Sequence, residues 1–245
     1  MALSDQTFCW NGIVTTAPER TLAFFPEVLG WTTIEQAMGE QTVTMFASGG
    51  VPVGHVRPSE GGEPSWWNNY LRVADVDAAA ASVAAHGGTV VVPPTDIAPG
   101  RFATVTTPSG AMFSLFREGN NEDTDRDNSS DGSVRWVDLH SQGIDADLAF
   151  LGAALGMKTA EMPMPMGAYH LLNPETATQA GAMASQHASA PSMWMAWVAV
   201  ADVDATLARV RSKGGAVVAD AWDAPGVGRL AVASDPAGVV FGVMA

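Results

Sequence analysis

The chain is poor in cysteine, in positive charge and in long apolar runs, and each shortage excludes something. One cysteine, Cys9, among 245 residues rules out an internal disulfide. Its apolar surroundings mark it as a buried, inert thiol and point to a reducing compartment, the cytoplasm. Lys and Arg number 12 against 26 Asp and Glu, for a formal net charge of −14. Such a surface repels phosphate backbones and anionic lipid heads, so neither nucleic acid nor membrane is expected as a partner. No uncharged apolar run is long enough to span a bilayer, and the longest candidate, 193–201, has the length of a strand. The opening residues Met1-Ala-Leu-Ser-Asp5 lack the basic start and apolar stretch of a secretory signal. His-x-His, His-Glu-x-x-His and Cys-x-x-Cys are all missing, so no local spacing suits a metal.

What the chain does have is a globular composition, 47% hydrophobic and 16% charged, and an internal repeat. Tyr70-Leu-Arg-Val-Ala-Asp-Val-Asp-Ala78 returns as Trp197-Val-Ala-Val-Ala-Asp-Val-Asp-Ala205, about one small domain further on. The match extends in both directions. Thr21-Leu-Ala-Phe-Phe25 answers Asp147-Leu-Ala-Phe-Leu151, Gly100-Arg101 answers Gly228-Arg229, and Thr107-Pro-Ser-Gly110 answers Asp235-Pro-Ala-Gly238. Between the copies, residues 119–133 are turn formers and acids with almost nothing to bury, which reads as a solvated linker. The expected division is therefore domain 1 over 1–118, linker over 119–133 and domain 2 over 134–245.

Each copy contains a smaller unit twice. Phe8 to Thr15 reads as a strand, and Pro18 to Leu29 as a helix with proline in its first turn and Gly30 closing it. Strands follow near 32–35, 42–47 and 53–57. The second half repeats the order: a strand over 67–73, a helix over 78–85 capped by Asp75 or Asp77, then strands near 89–92, 102–106 and 111–117. Strand clusters joined by single helices argue for an α+β fold: four βαβββ modules forming two tandem cupped mixed-sheet domains.

This pattern resembles the vicinal-oxygen-chelate (glyoxalase, bleomycin-resistance and extradiol dioxygenase) superfamily. The resemblance rests on Ala23-Phe-Phe-Pro-Glu-Val-Leu-Gly-Trp31, Val73-Ala-Asp-Val-Asp-Ala78 and Asp235-Pro-Ala-Gly238, and it spans both copies. It implies a concave sheet face that holds a small molecule. In catalytic members that face also holds a divalent metal bound by inward His, Gln or Glu, and the metal polarises oxygens or binds dioxygen. The ligand positions it implies here are Trp10, Asn68 and Ser114 in one copy and Trp136, Met195 and Gly242 in the other. None is His or a carboxylate, so the expectation is no metal and no cofactor.

Tryptophan at former ligand positions suits stacking on a flat molecule. The candidate ligand-binding residues are accordingly Trp10, His55, Trp67, Asn68, Ser114, Trp136, His170 and Trp194, with no catalytic residue assigned. Outside that set, His140 falls on the first strand of the second copy, four residues beyond Trp136, and Tyr169 on the strand after the methionine-proline segment. Arg101 and Arg229 read as solvated turn residues, with carboxylate binding as the alternative. Met162-Pro-Met-Pro-Met166 cannot form a regular helix and reads as a loop beside the second cup. The functional reading is a metal-independent binder of an apolar or aromatic small molecule, monomeric or homodimeric. The alternative is a divalent-metal-dependent lyase or dioxygenase with a non-standard site.

Overall fold

The computed structural model describes residues 6–39, 41–119, 130–164, 167–175 and 180–245. Four modules of one strand, one helix and three strands follow each other. The first comprises β1 (Phe8–Thr15), α1 (Pro18–Leu29), β2 (Thr32–Met38), β3 (Gln41–Ser48) and β4 (Val51–Pro58). The second is β5 (Trp66–Arg72), α2 (Val76–Ala85), β6 (Thr89–Ile97), β7 (Gly100–Thr106) and β8 (Met112–Glu118). The third is β9 (Val134–Ser141), α3 (Ile144–Leu155), β10 (Thr159–Met164), β11 (Gly167–Leu172) and β12 (Ala180–Ala184). The fourth is β13 (Met193–Ala199), α4 (Val203–Ser212), β14 (Ala216–Ala224), β15 (Gly228–Ser234) and β16 (Val240–Met244).

Two eight-stranded mixed sheets result, ordered β2-β3-β4-β1-β5-β8-β7-β6 and β10-β11-β12-β9-β13-β16-β15-β14. Within each module the first strand runs parallel to the last, as β1 does with β4 and β9 with β12. The helix is the crossover that parallel pairing requires.

Local chemistry explains the element ends. Asp75 and Asp202 accept from the backbone N–H of Ala78 and Ala205, at 3.0 and 2.9 Å, and so cap α2 and α4. Gly30 and Gly156 close α1 and α3 in the left-handed region, at φ 72° and 69°, where a side chain would be strained. Two segments extend past their expected ends. β6 continues through Pro93 and Pro94, and β10 includes Pro163. Both are edge strands, and β6 changes register twice. Proline is tolerated there because no neighbour waits for its missing N–H. Residues 165–166 of the methionine-proline segment lie outside the described residues.

By contact density the chain forms two compact units that cut across the sequence repeat. One gathers the described residues of Met1–Trp10, Asn69–Arg126 and Trp136–Trp194; the other those of Asn11–Asn68, Asp127–Arg135 and Met195–Ala245. Each unit thus takes a module from each copy. In the second unit, Phe24, Phe25, Val28, Trp31, Val203, Leu207, Val210 and Phe241 belong to a single buried cluster. In the first unit Trp194 packs on Phe8 and Phe113, with ring centroids 5.0 and 5.7 Å apart. No helix among the described residues is long and apolar enough to cross a membrane.

The units share one polar device, built from reciprocal parts. In the second unit α1 supplies Thr21, whose hydroxyl donates to Asp235 Oδ2 at 2.6 Å. In the first unit the carboxylate sits on the helix instead. Asp147 accepts from Ser141 Oγ at 2.7 Å, from the Ser109 backbone N–H at 3.1 Å and from the Ser109 hydroxyl. Each helix-to-turn contact therefore buries one carboxylate with several donors, the condition under which a buried charge is tolerated. Residues 120–129 of the expected linker lie outside the described residues. Of its described residues Gly119, Ser130 and Asp131 are exposed, while Gly132 and Ser133 are buried and the Gly132 carbonyl accepts from Trp31 Nε1 at 2.8 Å.

Candidate ligand site on the third module

Strand alternation divides β9 cleanly. Val137, Leu139 and Ser141 are buried, and Ser141 bonds Asp147 of α3, so this face meets the helix. Trp136, Asp138 and His140 occupy the opposite face at positions i, i+2 and i+4. Register brings further residues to that face: Gly181 lies opposite Asp138, Met183 opposite His140, and Tyr169 opposite Met183.

There a hydrogen-bonded cluster forms. The Tyr169 hydroxyl donates to Asp138 Oδ1 at 2.5 Å. The Trp136 indole N–H lies 2.7 Å from both Asp138 Oδ1 and the Tyr169 oxygen, so one donor is shared between two acceptors. Burial first, and then the Asp138 carboxylate, hold the Tyr169 phenol above its ordinary pKa, as a neutral donor. Next along the strand, burial pushes the His140 imidazole below its ordinary range; Asp138 opposes this and His187 adds to it. His140 is therefore biased toward the neutral form. Its Nε2 is buried with no hydrogen-bond partner among the described residues. The 187–190 loop is held by Gln142, whose Nε2 donates to the carbonyls of His187 and Ala190, each at 2.7 Å.

Glycine makes room for the cluster. A Cβ at Gly181 would fall 2.0 Å from the Tyr169 hydroxyl and 2.3 Å from its Cζ. The hydroxyl end of the phenol takes the space of the missing side chain, and any larger residue would push it off Asp138. Rings take the side-chain space of other glycines as well. The His55 imidazole occupies the Cβ position of Gly12, 2.4 Å away, and the Trp197 indole occupies that of Gly242, 2.2 Å away.

The expected site residues scatter over these surfaces. Trp136 joins the cluster. His170 does not: it pairs with Ala182, which pairs with Leu139, and so stands on the helix side of the same strands. Trp194 is 2% exposed in the core described above. Trp67, equally buried, packs edge-on against Phe25 with centroids 6.2 Å apart. Trp10 is half-buried against Cys9, Tyr70 and Phe116. His55 lies over Gly12. Ser114 is fully buried, with its hydroxyl 3.0 Å from that of Thr104. Asn68 is 2% exposed, and its Oδ1 has no partner among the described residues.

The arginines are paired internally. Arg101 binds Asp77 with two nitrogens and Asp96 with a third, and Arg229 treats Asp204 and Asp223 in the same way. Sequence reasoning left out Asp138, His140, Tyr169 and Gly181. The alternation Trp-x-Asp-x-His at 136–140 was the available signal.

The metal that the family resemblance implies does not fit these residues. In the second copy its positions hold an indole, a thioether and a glycine, and the glycine's side-chain space is filled by the Trp197 ring. In the first they hold an indole, an amide and a hydroxyl that already faces Thr104. Among the described residues, no three His, Cys, Asp or Glu come together to hold a metal ion. Neutral oxygens alone bind catalytic transition metals poorly.

Comparison with known proteins agrees with the fold. The family model of the Glyoxalase/Bleomycin resistance protein/Dioxygenase superfamily matches residues 7–115 and 134–243, and the chain belongs to that family. The chain is 32% identical over 243 residues to a Mycobacterium tuberculosis protein named "Putative glyoxylase CFP32", covering 96% of this chain and 93% of that one. It is also 32% identical over 244 residues to the anthracycline biosynthesis protein DnrV of Streptomyces peucetius, covering 90% and 86% of the two chains. Among solved structures, the Mn(II)-bound glyoxalase of Novosphingobium aromaticivorans aligns with a TM-score of 0.66 at 19% identity, over 99% of this chain and 82% of that one. At that identity the likeness speaks for the fold alone.

Proposed function

We propose that this chain binds a small, flat, largely apolar molecule without a metal, on the β9–β12 face of its second copy, so as to sequester or sense it. The observation that carries this reading is the fate of the family's ligand positions. They hold no ionic donor, and one of them, Gly242, lies under an indole ring. At another of them, Trp136, the Trp136–Asp138–Tyr169 cluster supplies fixed polar groups on a face that also carries Met183. Apolar surface with a few oriented polar groups is the usual make-up of a small-molecule site. The anthracycline biosynthesis named for one relative is in keeping with a flat aromatic ligand. A single buried thiol suits a cytoplasmic protein, acting as a monomer or homodimer.

The test is titration of the full chain with a panel of aromatic compounds in the presence of a chelator, followed by tryptophan fluorescence and thermal shift. Quenching and a raised melting temperature with at least one compound are expected. A panel that produces neither would refute the reading. Binding that appears only when a divalent metal is restored would favour the metal-dependent lyase or dioxygenase instead.

A further inference from the structure

We infer that the ligand of the β9–β12 face carries a hydroxyl group, phenolic or enolic, that meets Nε2 of His140. This rests on the metal-free binding site proposed above and goes further by naming the group recognised.

Most polar atoms of the face are already engaged. Tyr169 donates to Asp138, and the Trp136 N–H is shared between them. These groups hold one another in place, so a ligand gains no new donor from the phenol or the indole without breaking a short bond. His140 stands apart. Its Nε2 is buried and has no hydrogen-bond partner among the described residues, on the face that carries Trp136 and Asp138. An unpaired buried polar atom is unfavourable, and a ligand group that pairs with it gains affinity accordingly.

The chemistry of that group follows from the imidazole. Burial keeps His140 toward the neutral form. A neutral imidazole presents at Nε2 either a lone pair or an N–H, depending on the tautomer. A hydroxyl both donates and accepts, so it answers either tautomer. A carboxylate or phosphate answers only the N–H, and it would bring a second anion close to Asp138 on a chain of net charge −14. A hydroxyl on an aromatic ring also keeps the rest of the ligand apolar.

The first copy supplies an internal control. Val14 and Gly12 stand where His140 and Asp138 stand in the second copy, so the equivalent face of the first copy offers no imidazole and stoichiometry should be one ligand per chain.

The probes are 1-naphthol and naphthalene, titrated into the full chain by calorimetry with chelator present. Wild type should prefer 1-naphthol by roughly tenfold or more, the effect expected when an unpaired buried atom gains a partner. His140→Leu should bind both equally and keep its affinity for naphthalene. In the wild-type protein labelled with 15N, 1-naphthol should shift the His140 Nε2 resonance while naphthalene leaves it in place; this readout needs no variant to fold. Equal affinity for the two probes in wild type, or a preference that survives in His140→Leu, would overturn the inference and leave the binding site standing. If neither probe binds but other aromatics do, the inference also fails alone. If no aromatic binds at all, the inference and the proposed function fail together.

Discussion

The first and third modules have one fold and differ in what stands on the face turned away from their helix. β1 presents Trp10, Gly12 and Val14 where β9 presents Trp136, Asp138 and His140. β4 presents His55 where β12 presents Gly181, and β3 has Val43 where β11 has Tyr169. On this face each pair of parallel strands keeps one glycine, and that glycine admits one ring: His55 over Gly12, Tyr169 over Gly181. The packing solution is shared, but its chemical result is not. In the first module the ring covers backbone on a strand carrying Gly12 and Val14. In the third it delivers a phenol to a carboxylate, and an imidazole nitrogen on the same face has no partner among the described residues. An exchange of glycine between neighbouring strands, together with Val14 and Val43 where the third module has His140 and Tyr169, thus separates a packed face from a polar site.

The largest effect is expected at the helix-to-turn contact that the two units build from opposite parts. Asp147→Ala leaves Ser109 and Ser141 without their acceptor and should cost about 2–4 kcal/mol in denaturant unfolding. Asp235→Ala removes the acceptor of Thr21 and of two backbone N–H groups, and should cost a similar amount. A large inequality would show that the two contacts are not equivalent.

Next comes the glycine. Gly181→Ala forces the phenol off Asp138 and should destabilise by about 1–3 kcal/mol, the usual range for overpacking. Adding Tyr169→Val, the residue of the first copy, should recover most of that loss. Gly12→Ala should cost as much through His55 and yet leave ligand binding unchanged. Tyr169→Phe tests the hydroxyl alone and should cost about 1 kcal/mol, because the ring stays over Gly181.

The smallest effect concerns pH. The folded pKa of His140 lies below its unfolded value, so the unfolded chain takes up a proton that the folded chain refuses. Its contribution is present above the unfolded pKa and is lost as pH falls from there through the lower folded value. His140→Leu should therefore lose less stability than wild type between about pH 7.5 and 5.5. An identical slope for both proteins would show that His140 is not held neutral.

Much of the architecture was legible because it rests on period and punctuation. The Val-Ala-Asp-Val-Asp repeats mark two helix starts, and Asp75 and Asp202 do cap them. Gly30 ends α1 as its position before Trp31 suggests. Edge strands were cut short wherever proline appeared, since Pro93, Pro94 and Pro163 read as breakers until it is known that no neighbouring strand needs their N–H. The site was less legible. Trp67 and Trp194 drew attention as aromatics, but a shift of one residue along a strand moves a side chain to the other face, and both face the core. His170 misleads for the same reason. Asp138, His140 and Tyr169 become a cluster only through the register of β9, β11 and β12, which no local pattern encodes.

The central claim is that the site works without a metal. Its most direct test is elemental analysis of the chelator-stripped full chain after exposure to Mn(II), Fe(II), Ni(II) and Zn(II) and desalting. The account predicts that none is retained in appreciable amount and that aromatic binding is unchanged by the treatment. Near-stoichiometric retention of one metal, with binding or turnover that depends on it, would contradict the account and place a metal centre where indole, thioether and glycine now stand.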